Sequence, residues 1–137
     1  MRWCWPSGSL ILIKPEHLTL HRYFLNASRN RSLFLAKLQE NAIDHPHTRI
    51  HLDLWYGCLY VVIEGWRKER IIDPTTTALL RDKKRVDLLA GLRNATFHYH
   101  PEYVEPRAEA LYGDPQFVEW INALHDAVSD FFLRETI

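Results

Sequence analysis

The stretch "HLDLWYGCLYVVIEGWRKER", residues 51–70, decides the fold. Trp55, Leu59, Val62 and Trp66 recur at steps of four, three and four, which places them on one apolar stripe of an α-helix. The closing "RKER" sets cations where the negative end of a helix dipole favours them. The pattern predicts a helix over about 51–69. Just before it, "DHPHT" (44–48) reads as a turn, because Pro46 disfavours helical backbone at His45.

The same logic extends in both directions. "DPTTTALL" (73–80) is a helix start, with Asp73 placed to cap and Pro74 at the first helical position. A further helix is expected from about Lys84 to Tyr99, ended by Pro101. "YGDPQFVEW" repeats the start signal with Asp114 and Pro115, and Phe117, Ile121, Leu124, Val128 and Phe131 continue as a last stripe. Toward the N-terminus, Leu20, Phe24 and Ala27 are helically spaced from Pro15 onward, and Leu35 and Leu38 extend the pattern. The polar "NASRNRS" (26–32) leaves open whether this is one helix or two. Residues 1–14 read as an irregular arm broken by Pro6, Gly8 and Ser9. Its Trp3, Trp5 and Leu10–Ile13 are apolar patches expected to dock on the core or on a partner. With no alternating strands and no repeats, the expectation is an all-α chain, an up-and-down bundle of four to five helices over residues 15–137.

Composition narrows the function classes. The 137 residues are 47% hydrophobic, which suits one domain with one core. Lys+Arg and Asp+Glu both number 17, so the formal charge is zero. That argues against attachment to nucleic acid by bulk electrostatics and leaves a local basic surface open. Cys4 and Cys58 lie far apart without metal-type spacing, consistent with free thiols in a reducing compartment. The apolar run Leu10–Ile13 is too short for a secretory or membrane segment. The expected setting is cytoplasmic, with no membrane association.

The chemistry-bearing stretch is "LAGLRNATFHYHP", residues 89–101. An apolar helix ends there by setting Arg93, Asn94 and His98 close together. At ~100° per residue, Asn94 and His98 share a face, whereas Arg93 and His98 differ by ~140° around the axis and ~7.5 Å along it. Convergence on one phosphate requires that the helix end loosen, or that a second copy of the helix face the first. "LRNATFHY" (92–99) resembles the signature of the HEPN superfamily (higher eukaryotes and prokaryotes nucleotide-binding domains): Arg, a polar residue, three further residues, then His, near the end of a bundle helix. The resemblance implies an up-and-down helical bundle and, for many members, metal-independent endoribonuclease activity in toxins or defence effectors, at a cleft between two protomers. It implies an RNA substrate, a homodimer, an antitoxin-like partner, no cofactor and no metal. The matching positions are Arg93, Asn94 and His98. It equally allows a catalytically inactive nucleotide-binding or protein-interaction module.

The residue types suit that chemistry. Cleavage by the neighbouring 2′-hydroxyl needs proton transfer, which histidine can perform near neutrality. It also needs a cation for the phosphate, which the arginine fork supplies, and Asn94 can hold ring or phosphate through its amide. Two chains paired across this helix would line one groove with two Arg and two His. The alternative is an ordinary helix terminus, with His98 near the free carbonyls and Arg93 paired to Glu64 or Asp87. Glu64, placed between "YVVI" and "GW", is itself a candidate partner for Arg93 or His98.

Two further clusters have their own readings. "RDKKRVD" (81–87) is either a solvated connector or a foothold for phosphates near Arg93. "HPHTRIH" groups His45, His47 and His51 between Asp44 and Asp53, the kind of residues that bind zinc or nickel, but at no recognised metal spacing.

Overall fold

The computed structural model describes residues 13–99, 101 and 112–135. Among the described residues, a turn of 3-10 helix at Pro15–His17 is followed by five α-helices: α1 (Leu18–Glu40), α2 (Pro46–Lys68), α3 (Pro74–Leu80), α4 (Lys83–Phe97) and α5 (Pro115–Arg134). No strand occurs among the described residues, so the chain is an all-α helical bundle. Helix α2 is the hub. It packs along α1 on one side and along α4 on another, while α3 leans on α5.

The start signals act as their chemistry dictates. Asp73 accepts from the Thr76 backbone N–H at 3.1 Å and from its hydroxyl at 2.8 Å. Asp82 accepts from the Arg85 backbone N–H at 3.2 Å, and Asp114 from that of Gln116 at 3.0 Å. Pro74 and Pro115 each open a helix, where a missing N–H costs nothing. The same rule corrects the expected turn at 44–48. Pro46 is the first residue of α2, and His45 caps it in extended backbone with its Nδ1 accepting from the His47 N–H at 3.2 Å. Proline does exclude helix at His45, and the helix begins on the proline itself.

The stripes expected in α2 and α5 are buried. Trp55, Leu59, Val62 and Trp66 meet Phe117, Ile121, Leu124, Val128 and Phe131 in one core. Helix α1 is continuous, which settles the 26–32 segment. Ala27 is fully buried there, Asn30 Nδ2 donates to the Asn26 carbonyl at 2.9 Å, and Ser32 Oγ to the Ser28 carbonyl at 3.1 Å. The polar side chains thus bond to the helix they were expected to interrupt. Leu35 and Leu38 are exposed, and Phe34 is the buried residue of that turn. Of the N-terminal arm, only Ile13 and Lys14 lie within the described residues. Ile13 is buried and Lys14 pairs with Glu135 at 2.8 Å. Trp3 and Trp5 lie outside them. No described helix is long and apolar enough to cross a membrane.

Candidate functional site at the end of α4

Helix α4 is held against α2 by Val86, Leu89 and Leu92, all buried. The facing stripe of α2 runs Asp53, Gly57, Tyr60 and Glu64, spaced four, three and four, so these residues share one side. The helices run antiparallel along it. The Arg93 guanidinium lies over the Tyr60 ring, 4.8 Å from its centre, and its Nη1 forms an ion pair with Glu64. One turn further along α4, the Phe97 ring lies on Gly57, where a Cβ would stand 2.7 Å from its Cε2. Gly57 is therefore what lets the end of α4 close onto α2.

Within the motif, Arg93 Nε donates to Asn94 Oδ1 at 2.9 Å. The sequence-level option that Glu64 meets Arg93 is the arrangement found, while Asp87 is taken by Lys83 at 2.8 Å. The Asn94 amide therefore orients the guanidinium rather than the His98 ring. Nη2 of Arg93 has no partner among the described residues.

Helix α4 ends at Phe97, two residues before the expected end at Tyr99. His98 has left the helix, with φ −119° and ψ 140°, and its backbone N–H still bonds to the Asn94 carbonyl at 3.0 Å. The early end accords with Pro101 three residues on, which cannot continue a helix. The ~140° separation expected for a continuous helix thus no longer applies to His98. Its side chain is exposed and makes no hydrogen bond or ion pair among the described residues. Phe97 and Tyr99 on either side are also exposed, Tyr99 at 94%. His100 lies outside the described residues.

Beyond Gly57, the α2 stripe reaches a second polar group that the motif did not reveal. Tyr112 donates its hydroxyl to Asp53 Oδ1, lies under the Arg49 guanidinium at 3.6 Å, and stacks on Tyr56 at 6.4 Å. Burial raises the Asp53 carboxyl, opposed by the Tyr112 bond and the Arg49 charge. Burial, together with Asp53, also pushes the Tyr112 hydroxyl upward, so it stays a proton donor. The sequence signal was slight: Asp53 was visible only as a flank of the histidine cluster. In that cluster His45 and His47 touch ring to ring at 5.1 Å. Among the described residues, no three His, Cys, Asp or Glu side chains group as a metal ion would need. Cys58 is a half-buried free thiol whose pKa is raised by burial.

The basic run 81–87 divides. Lys83 pairs with Asp87, and Arg85 with Asp82 and Gln116. Arg81 points away from this internal pairing, into a cleft with the end of α2. Comparisons with models of known families, with curated proteins and with solved structures find no match to this chain.

Proposed function

We propose that the chain is a HEPN-type, metal-independent endoribonuclease that acts as a homodimer, with Arg93, Asn94 and His98 at its cleft. The observation that carries this reading is the end of α4. One guanidinium is oriented by Asn94, Tyr60 and Glu64 with its Nη2 unpartnered among the described residues, and an exposed imidazole follows on extended backbone. In this reaction the 2′-oxygen attacks phosphorus as a base removes its proton. The 5′-oxygen then departs as an acid returns one, leaving a 2′,3′-cyclic phosphate and a free 5′-hydroxyl. His98 carries a proton in one of these roles, and its copy in a two-fold partner carries it in the other. Arg93 offsets charge on the non-bridging oxygens. Exposed Phe97 and Tyr99 offer aromatic faces on which unpaired bases stack, the usual means of holding single-stranded RNA.

A second reading is favoured by one specific contact: the Arg93–Glu64 ion pair already compensates the charge that catalysis would use. On that reading the bundle is a non-catalytic binding module. The test is cleavage of mixed cellular RNA in chelator by wild type, His98→Ala and Arg93→Ala, with fragment ends identified. Chelator-resistant cutting that leaves cyclic phosphate and is lost in His98→Ala is the expected result. Folded, dimeric wild type without cutting would move the assignment to the binding module.

A further inference from the structure

Helix α2 ends in a motif that the sequence has filled unusually. The Ile71 N–H bonds back to the Trp66 carbonyl at 3.2 Å and the Arg70 N–H to the Arg67 carbonyl at 3.1 Å, with Arg70 at φ 54°. This is the Schellman termination, whose left-handed position favours glycine. An L-residue with a Cβ costs roughly 1 kcal/mol more there. Here the position holds an arginine.

Arg70 does not stand alone. Together with Arg67 and Arg81 it lines a cleft of about 280 Å³ between the end of α2 and α3. Thr77 and Trp66 also line it, and the buried indole Nε1 of Trp66 has no hydrogen-bond partner among the described residues. Ile71 and Leu80 complete the wall. Among the described residues, no carboxylate lines this cleft. Of the acidic side chains between residues 64 and 87, four are paired with other cations, Glu64 with Arg93, Asp73 with Arg134 at 2.7 Å, Asp82 with Arg85 and Asp87 with Lys83, and Glu69 lies 3.8 Å from His17. Three guanidiniums therefore gather without an ion pair among the described residues. The end of a helix ordinarily repels anions, but the two capping bonds occupy the carbonyls of Trp66 and Arg67.

We propose that this cleft binds a small phosphate-bearing anion. Its chemistry fits that class: arginine forks match phosphate oxygens, and a volume near the lower end of small-molecule sites suits a phosphate or a monophosphate ester. The cleft uses arginines other than Arg93: Glu64, which pairs with Arg93, precedes Arg67 by three residues, ~4.5 Å along α2.

The test is thermal unfolding of the full chain in inorganic phosphate, pyrophosphate and a nucleoside 5′-monophosphate, each against sodium chloride of equal ionic strength. Wild type, Arg67→Gln/Arg81→Gln and Arg70→Gly are compared. The wild-type midpoint is expected to rise in a saturable way with at least one phosphate probe. In the double variant, the apparent Kd should weaken at least about tenfold. Arg70→Gly should unfold at a higher temperature than wild type without ligand, yet gain less from it, a combination that a merely structural arginine cannot produce. A larger gain from the monophosphate than from inorganic phosphate would assign the ligand to nucleotides or their analogues, and the reverse to free phosphate. Stabilisation by salt exclusion acts on wild type and variants alike. A shift that persists in the double variant, or no shift beyond chloride, overturns the proposal.

Discussion

The seam between α1 and α5 and the corner between α2 and α3 both gather arginine chemistry, and they use it in opposite ways. At the seam, Arg31 Nη1 donates to Asp126 at 2.9 Å, Nη2 donates to Asn122 at 2.7 Å, and the guanidinium lies over the Trp55 ring at 5.5 Å. Trp55 in turn donates its Nε1–H to Nδ1 of the buried His125 at 2.9 Å. Carboxylate, amide and ring are all supplied from within the chain. At the corner, Arg67, Arg70 and Arg81 share a cleft and no carboxylate among the described residues pairs with them. An arginine with its partners built in is a fastener, whereas one left without them has binding capacity to offer.

The largest effect should come from the seam. Burial, reinforced by the Arg31 charge, lowers the His125 pKa from 6.5 to about 4, while Asp126 works weakly the other way. A depressed histidine means that the unfolded chain takes the proton first as pH falls. Its contribution is therefore fully present above about pH 6.5 and is lost as pH drops toward about 4, by roughly 3 kcal/mol. Urea unfolding at pH 7 and pH 4.5 measures this. His125→Gln, which can still accept from Trp55, should lose much less over the same interval. An equal loss in that variant would mean that His125 is not what makes the seam acid-sensitive.

Arg31→Met comes next. Two hydrogen bonds to charged or amide partners disappear from a side chain only 22% exposed, so stability at pH 7 should fall by about 1–2 kcal/mol in urea unfolding. The variant should also show a flatter acid profile, since removing a nearby cation raises the His125 pKa. Single removals at the corner, Arg67→Gln or Arg81→Gln, should leave stability within about 0.5 kcal/mol. Losses of similar size at the two places would erase the contrast between fastener and free arginine.

The readability of these regions from sequence differs for a physical reason. Stripes such as Phe117–Ile121–Leu124–Val128–Phe131 and caps such as Asp73–Pro74 are local, set by spacing and by one or two neighbours, and they folded as expected. Pro46 was misplaced by a local rule that holds equally for a turn and for a helix beginning on the proline. Arg93, Asn94 and Glu64 could be nominated because unusual polar residues stood in apolar runs. The corner could not. Arg67 and Arg70 belong to what looked like a dipole-complementing "RKER", and Arg81 to a connector. Only the folded chain brings them together and shows the carboxylates of Glu64, Asp73, Asp82 and Asp87 paired with other cations. His125 was invisible for the same reason, since its partner Trp55 is 70 residues away.

Arg93 falls between the two extremes, and the smallest effect decides on which side it belongs. It has a carboxylate, an amide and a ring around it, like Arg31, and Glu64 at 48% is less exposed than Asp126 at 62%, but its amide is that of its own neighbour Asn94, whereas Arg31 reaches Asn122 on another helix. A half-exposed pair is screened by water, so a double-mutant cycle with Glu64→Gln and Arg93→Gln should give a coupling of about 0.5 kcal/mol. If the proposed ribonuclease reading holds, a phosphate competes with Glu64 for Arg93, and Glu64→Gln should tighten binding of single-stranded RNA while His98→Ala leaves that binding intact. A coupling several times larger would make Arg93 a fastener like Arg31. The end of α4 would then close a bundle rather than receive a substrate.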